Sequence, residues 1–244
     1  MNKNNYIFSL LLGLIVFNVY SDSFKYNLYN NHGVVGLVNM PTARFFDESV
    51  YGFTIYDGTP DQKITMTSNP FNWLEASFFY TNLQNMPYPG YESQDYKDKG
   101  FNFKIRLKEE GKLPALALGI NDIAGTGFYS SEYIVASYGI ENIDFHAGLG
   151  WGLLNGSDNR KTNPFSHISS SFDSRPNINE TKGSGGQFDF DRYFSGKTVS
   201  PFFGISYAPN DSFIFKFEKD TTSTDGRINF DNPKSDYSYS LNYL

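Results

Sequence analysis

The sequence predicts an all-β fold: an antiparallel up-and-down β-barrel of about ten strands that spans a membrane, either closed on itself or part of a larger barrel. Three observations carry this. Apolar and polar residues alternate with period two over most of the chain after Ser49, as in Phe101, Phe103, Ile105 and Leu107 against Asn102, Lys104, Arg106 and Lys108. Tight polar turns punctuate the pattern at short intervals and alternate with longer links. Mean hydropathy is −0.43 although 18% of residues are aromatic, so apolar and polar groups are separated residue by residue.

Residues 1–21 read as a cleavable export signal, with Lys3 in the polar start, an apolar stretch from Tyr6 to Val19, and Val19-Tyr20-Ser21 before a cut ahead of Asp22. An anchor helix is the other reading, although the stretch is shorter than the ~20 residues of a membrane span. The mature chain then begins near Asp22 with no cysteine there to lipidate. Residues 22–48 form a polar, aromatic lead assigned to the periplasm, and the barrel is assigned to 49–244.

Ten strands are expected at 49–56, 62–68, 73–82, 100–108, 114–123, 129–138, 143–152, 199–208, 212–219 and 236–243. Glu109 to Lys112, Gly139 to Asn142 and Pro209 to Asp211 are tight turns. The links near 83–99, 153–198 and 220–235 are longer, and that near 124–128 is short and Gly-rich. An outer-membrane barrel has such unequal rims, with short turns in the periplasm and long loops outside. Trp73, Tyr80, Trp151 and Tyr207 near strand ends suit interfacial girdles. A secreted β-sandwich would show the same alternation, because periodicity does not say whether the apolar face meets a core or lipid.

Composition excludes several functions. A net charge of −6 without any dense Lys/Arg cluster argues against nucleic acid as a partner. With no Cys and three scattered histidines, His32, His146 and His167, neither a disulfide framework nor a zinc enzyme is expected. No phosphate loop, nucleophile elbow or His-containing triad is present, and no cofactor is expected.

Two constellations bear on chemistry. Asp122 and Glu132 flank the Gly125-Thr126-Gly127 loop, so a hairpin would bring two carboxylates together as in glycosidic cleavage. Loop carboxylates more commonly face water, bind turn amides or hold calcium. Lys104, Arg106 and Lys108 project to one face of one strand, with Glu75 on the preceding strand and Glu218 and Asp144 across a barrel as candidate counter-charges. They make either an internal ion-pair plug or a contact surface for an anionic glycan. With the Phe row in lipid, Phe103→Arg is expected to be costly and Lys104→Gln mild.

Five separated words then resemble one family: Gly36-Leu37-Val38-Asn39-Met40-Pro41-Thr42-Ala43-Arg44, Pro70-Phe71-Asn72-Trp73-Leu74-Glu75-Ala76, Asp98-Lys99-Gly100-Phe101-Asn102-Phe103-Lys104, Gly119 to Gly127 followed by Ser131-Glu132-Tyr133, and Gly148-Leu149-Gly150-Trp151-Gly152. In order and spacing they are similar to the YjbH family of bacterial outer-membrane proteins associated with exopolysaccharide production. The resemblance runs from about residue 33 to the early 200s, and family members are typically much longer. It implies a non-enzymatic outer-membrane barrel that assists export, retention or organisation of an exopolysaccharide. The partners it implies are the outer membrane and other proteins of a polysaccharide pathway, to which the basic stripe adds an anionic polymer. A secreted or periplasmic β-rich glycan hydrolase or lectin is the competing expectation.

Overall fold

A computed structural model describes residues 26–59, 61–88, 91–176, 188, 190–223 and 236–244. The export signal expected at 1–21 lies outside the described residues. Among the described residues there are eleven strands: β1 (Val50–Asp57), β2 (Asp61–Phe71), β3 (Leu74–Tyr88), β4 (Tyr91–Lys108), β5 (Ala115–Ile123), β6 (Ser131–Ile140), β7 (Ile143–Gly152), β8 (Lys161–Thr162), β9 (Thr198–Asn210), β10 (Phe213–Lys219) and β11 (Tyr237–Tyr243). Ten run in one antiparallel meander, β1-β2-β3-β4-β5-β6-β7-β9-β10-β11, and the two-residue β8 pairs with β9. All ten expected strands are there. Short β8 carries no alternation for sequence to reveal, because Lys161 and Thr162 are both exposed. Among the described residues no strand pairs with the outer edge of β1 or of β11, so hydrogen bonds do not close the sheet.

The link expected at 83–99 is a correction. β3 runs on to Tyr88 and β4 starts at Tyr91, so most of the expected link is paired strand. Its polar segment, with Asn82 donating to Asp95, masks the alternation that marks the other strands. The 153–198 link holds β8 and 3-10 turns at Pro164–His167, Ser170–Asp173 and Phe190–Arg192. Asn163 organises it: the side-chain amide donates to the carbonyls of Phe172, Phe194 and Gly196, and the side-chain oxygen caps the Phe165 N–H.

The links at 72–73, 109–114, 141–142 and 211–212 lie at one rim, and the described residues 58–59, 124–130, 153–176, 190–197 and 220–223 at the other. Local chemistry fixes the tight turns. Glu141 takes φ 54 between Ile140 and Ile143, which pair with each other. The Asn210 side chain accepts from the Ser212 and Phe213 N–H groups.

The two faces invert the usual order of a water-soluble sheet. One face is apolar and exposed: Phe53, Ile64, Met66, Phe78, Phe101, Phe103, Ile105, Phe145, Phe203, Ile205, Phe215 and Phe217 all point outward. The other face is polar and buried, carrying Lys63, Thr65, Thr67, Glu75, Ser77, Asn102, Lys104, Asp144, His146, Ser206, Lys216 and Glu218. A globular core would bury the phenylalanines and leave lysine and glutamate in water.

Candidate functional site: a plugged polar interior

The polar face is buried by residues 28–46, which precede β1 and fold back as a hairpin into the concave side of the sheet. Isolated bridges, Tyr29 with Val35 and Gly36 with Pro41, give the segment its local form. At the tip Leu37 N–H donates to Met40 O at 2.8 Å. Gly36 is required there, since a Cβ would meet Met40 O at 2.6 Å. Gly33 has φ +75 and lies against Thr65 and Thr54 with no space for a side chain.

This plug places backbone amides against the buried polar face of the sheet, so each must be met by a partner there. The carboxylate of Glu218 on β10 accepts from the N–H groups of Val38, Asn39 and Met40 at 2.9, 2.8 and 3.1 Å. Two residues earlier on the same face of β10, Lys216 donates to the carbonyls of Gly36 and Leu37 at 2.8 and 3.0 Å. Across the interior Glu75 on β3 accepts from Val35 N–H, and Lys104 on β4 donates to the carbonyls of Val35 and Arg44 at 3.1 and 2.8 Å. Glu75 and Lys104 face each other in strand register and pair at 3.1 Å, each only 1% exposed.

Arg44, at the exit of the plug, forks onto Asp144 of β7 at 2.8 and 2.6 Å and reaches Glu110 at 2.5 Å. Burial alone would weaken its hold on a proton, but the two carboxylates keep its pKa above the ordinary guanidinium value. The plug's apolar residues, Leu37, Met40, Ala43 and Phe45, pack on Ala115, Ala117, Tyr133, Val135, Leu154 and Phe202. The small side chains of β5 make room for them.

At the plug's far end His32 Nδ1 lies 3.1 Å from Lys63 Nζ, which pairs with Asp61 at 3.1 Å and sits 4.1 Å above the Tyr129 ring. A histidine accepting from an ammonium group is neutral. Burial, and then the Lys63 charge, push the His32 pKa down to about 3, with Asp61 only partly opposing. The unfolded chain therefore takes up this proton near the ordinary value of about 6.5 and the folded chain does not. His32's contribution to stability is full above about pH 6.5 and falls as pH drops toward about 3. The measurable consequence is a smaller loss of thermal stability between pH 7.5 and pH 5 in His32→Asn than in the parent.

The expected site residues occupy different surroundings. Glu75 and Lys104 come together against the plug. Arg106 pairs instead with Glu109 at 3.0 Å, its guanidinium 4.7 Å from the centre of the Phe45 ring. Lys108 donates to the carbonyls of Glu109 and Leu113 at the rim. Asp122, at φ 60, accepts from Tyr129 N–H and so shapes the 124–128 turn. Glu132 is fully buried and holds Arg175 of the long loop through contacts of 2.6 and 2.9 Å, and it also accepts from Phe194 N–H. Trp151 packs between Phe165 and Phe194, so that loop is anchored on the inner face of β7. Among the described residues no group of three or more His, Asp or Glu is placed to hold a metal ion.

The plug is what the sequence reading did not find. The signal was available: β5 and β6 carry apolar residues on both faces, Ala115 and Ala117 alternating with Leu116 and Leu118, and Tyr133 and Val135 with Ile134. A wet lumen gives such strands no reason to be apolar inside.

Comparison with known proteins places these features in a lineage. No solved structure matches the chain. An Escherichia coli (strain K12) protein named "Uncharacterized lipoprotein YjbH" is 37% identical over 183 residues, which is 73% of this chain and 26% of the relative. The chain thus spans about a quarter of that protein's length. The YjbH family model, described as "Exopolysaccharide biosynthesis protein YbjH", matches residues 28–229 and so takes in the plug, the Glu75–Lys104 pair and the Glu218 lock. The chain belongs to the YjbH family of exopolysaccharide biosynthesis proteins.

Proposed function

We propose that the chain is a plugged, non-enzymatic β-barrel of the bacterial outer membrane that assists export, surface retention or organisation of an exopolysaccharide. The single observation behind it is the inversion of the faces, with a continuous aromatic and aliphatic surface outside and charged side chains inside. Lipid is the solvent that suits such an exterior, and strands of 8 to 13 residues such as β1, β2, β7 and β9 are long enough to cross it when tilted. β3 and β4, at 15 and 18 residues, would project beyond it. An envelope address agrees with the signal-like N-terminus and with a relative named a lipoprotein. The polysaccharide connection rests on the family.

The seated plug supports a scaffold or gated role over an open pore. Hydrogen bonds tie it to β2, β3, β4, β6, β7 and β10. Asp122 and Glu132, the candidate acid/base pair, are each committed to loop structure, which supports the non-enzymatic reading. The basic residues are likewise committed: Lys104 to the plug, Arg106 and Lys108 at the short-turn rim. Contact with an anionic polymer therefore falls to residues beyond this stripe while the plug is seated.

Fractionation tests the reading. The protein should remain with outer membranes after carbonate and urea washes and migrate faster on gels when unheated. Release into the wash would favour the secreted sandwich. A second measurement tests the rims. Gly111 has open space around it and the 3-10 turn at Ser170–Asp173 is surface-exposed, so both should accept epitope tags. In intact cells the tag at Ser171 should bind antibody and that at Gly111 should not; labelling of Gly111 alone would reverse the topology.

A further inference from the structure

Both ends of the meander leave a backbone edge without a strand partner, among the described residues, and the outward side chains there are more exposed than elsewhere on the sheet. Tyr51 is 77%, Tyr239 83% and Tyr243 77% exposed, against 36–45% for Phe101, Phe103 and Ile105. In hydrocarbon every edge N–H and C=O needs a partner within the protein, so these edges are not stable as they stand.

Several contacts tie the two edges to the same plug and rim. β1 runs from the short-turn rim to the loop rim and β11 runs back, so they are antiparallel. At the loop rim the Asp220 carboxylate accepts from the Ser238 hydroxyl of β11 at 3.4 Å. Gly33 of the plug lies against Thr54 on the inward row of β1. At the other rim Tyr29 of the plug lies on Gly52 of β1, leaving no room for a Cβ. Its neighbours Tyr26 and Leu28 pack on Ile214, whose carbonyl accepts from the Asn242 side chain of β11. Residues 52, 54 and 56 and residues 238, 240 and 242 are the inward rows of the two strands.

We propose that β1 and β11 are the two leaves of a seam, held by the plug in one register: Gly52 opposite Asn242, Thr54 opposite Ser240 and Tyr56 opposite Ser238. That register matches inward row to inward row. It also sets Tyr51 against Tyr243, Phe53 against Leu241 and Ile55 against Tyr239 on the outside, pairs of the aromatic and branched kind that stabilise neighbouring strands. It joins residues 51–57 of β1 to all seven residues of β11, leaving only Val50 of β1 outside the ladder. The plug latches both ends. Asn39 donates to Asp220 at 2.6 Å above, and Tyr26, Leu28 and Tyr29 bridge Gly52 and Ile214 below. The seam would part when the plug is withdrawn, giving the barrel a lateral opening. The proposal rests on the barrel reading above.

The chain contains no cysteine, so engineered pairs give a clean readout. Full-length Thr54→Cys/Ser240→Cys and Phe53→Cys/Leu241→Cys, oxidised in outer membranes that have survived a carbonate wash, should form an intramolecular disulfide in most molecules. The offset pair Thr54→Cys/Asn242→Cys should do so several-fold less. Adding Asn39→Asp, or Asn39→Ala if the first variant does not assemble, should lower the Thr54/Ser240 yield at least threefold while membrane retention is kept. Disulfide-linked dimers of the single Thr54→Cys or Ser240→Cys protein at similar yield would mean that a second copy occupies the edge, and would overturn the seam. Retained protein with no cross-link at either aligned pair would also overturn it, and a yield indifferent to Asn39 would overturn the latch. Protein released by the wash removes the barrel reading, and the seam with it.

Discussion

Arg44→Met is expected to cost about 3–5 kcal/mol, because it leaves Asp144 and Glu110 buried with no counter-charge and frees the exit of the plug. The measurement is the urea midpoint for loss of the fast-migrating folded band in refolded protein. Adding Asp144→Asn and Glu110→Gln to Arg44→Met should recover part of the loss, since removing the stranded charges costs less than burying them unpaired. An additive loss in the triple variant would mean that the three groups act independently.

Phe103→Arg is expected to cost roughly 2–4 kcal/mol if Phe103 faces acyl chains near the midplane. Phe103 lies on the outer face of β4, opposite Ala76 of β3 and Ile120 of β5. Outer-membrane yield should fall sharply, while Lys108→Gln on the inward row of the same strand should assemble normally. The structure revises one comparison that the alternation alone suggests. Lys104→Gln is not mild, because Lys104 balances Glu75 and carries two plug carbonyls. Glu75→Gln together with Lys104→Gln should be tolerated better than either alone.

The strands were legible because their outer and inner rows differ in polarity at every second residue, as in Phe213, Phe215 and Phe217 against Lys216 and Glu218. Where the rows are alike the reading faded: the polar tip of the β3–β4 hairpin looked like a loop. The plug was illegible for a different reason. Its contacts run between residues about 40 to 180 positions apart, as in Val35 with Glu75 and Val38 with Glu218. Its shape is held by backbone groups that carry no side-chain signature. The word Gly36 to Pro41 marked the family, but its physical meaning, a turn whose amides close on one buried carboxylate, needed the partner strand to be seen. Asp122 and Glu132 looked like a pair because a hairpin joins them, whereas their hydrogen bonds lead to Tyr129 and to Arg175.

Quenching of tryptophan fluorescence by brominated lipid tests the orientation of the two faces most directly. A single-tryptophan protein with Phe103→Trp, in a Trp73→Phe/Trp151→Phe background, would be compared with one that keeps only Trp151, which is fully buried inside the sheet. Both would be refolded into vesicles carrying bromine near the middle of the acyl chains. The tryptophan at 103 should be strongly quenched by bromine and little affected by aqueous acrylamide, while Trp151 should be shielded from both. Strong acrylamide quenching at 103 with no effect of brominated lipid would contradict a lipid-facing aromatic exterior.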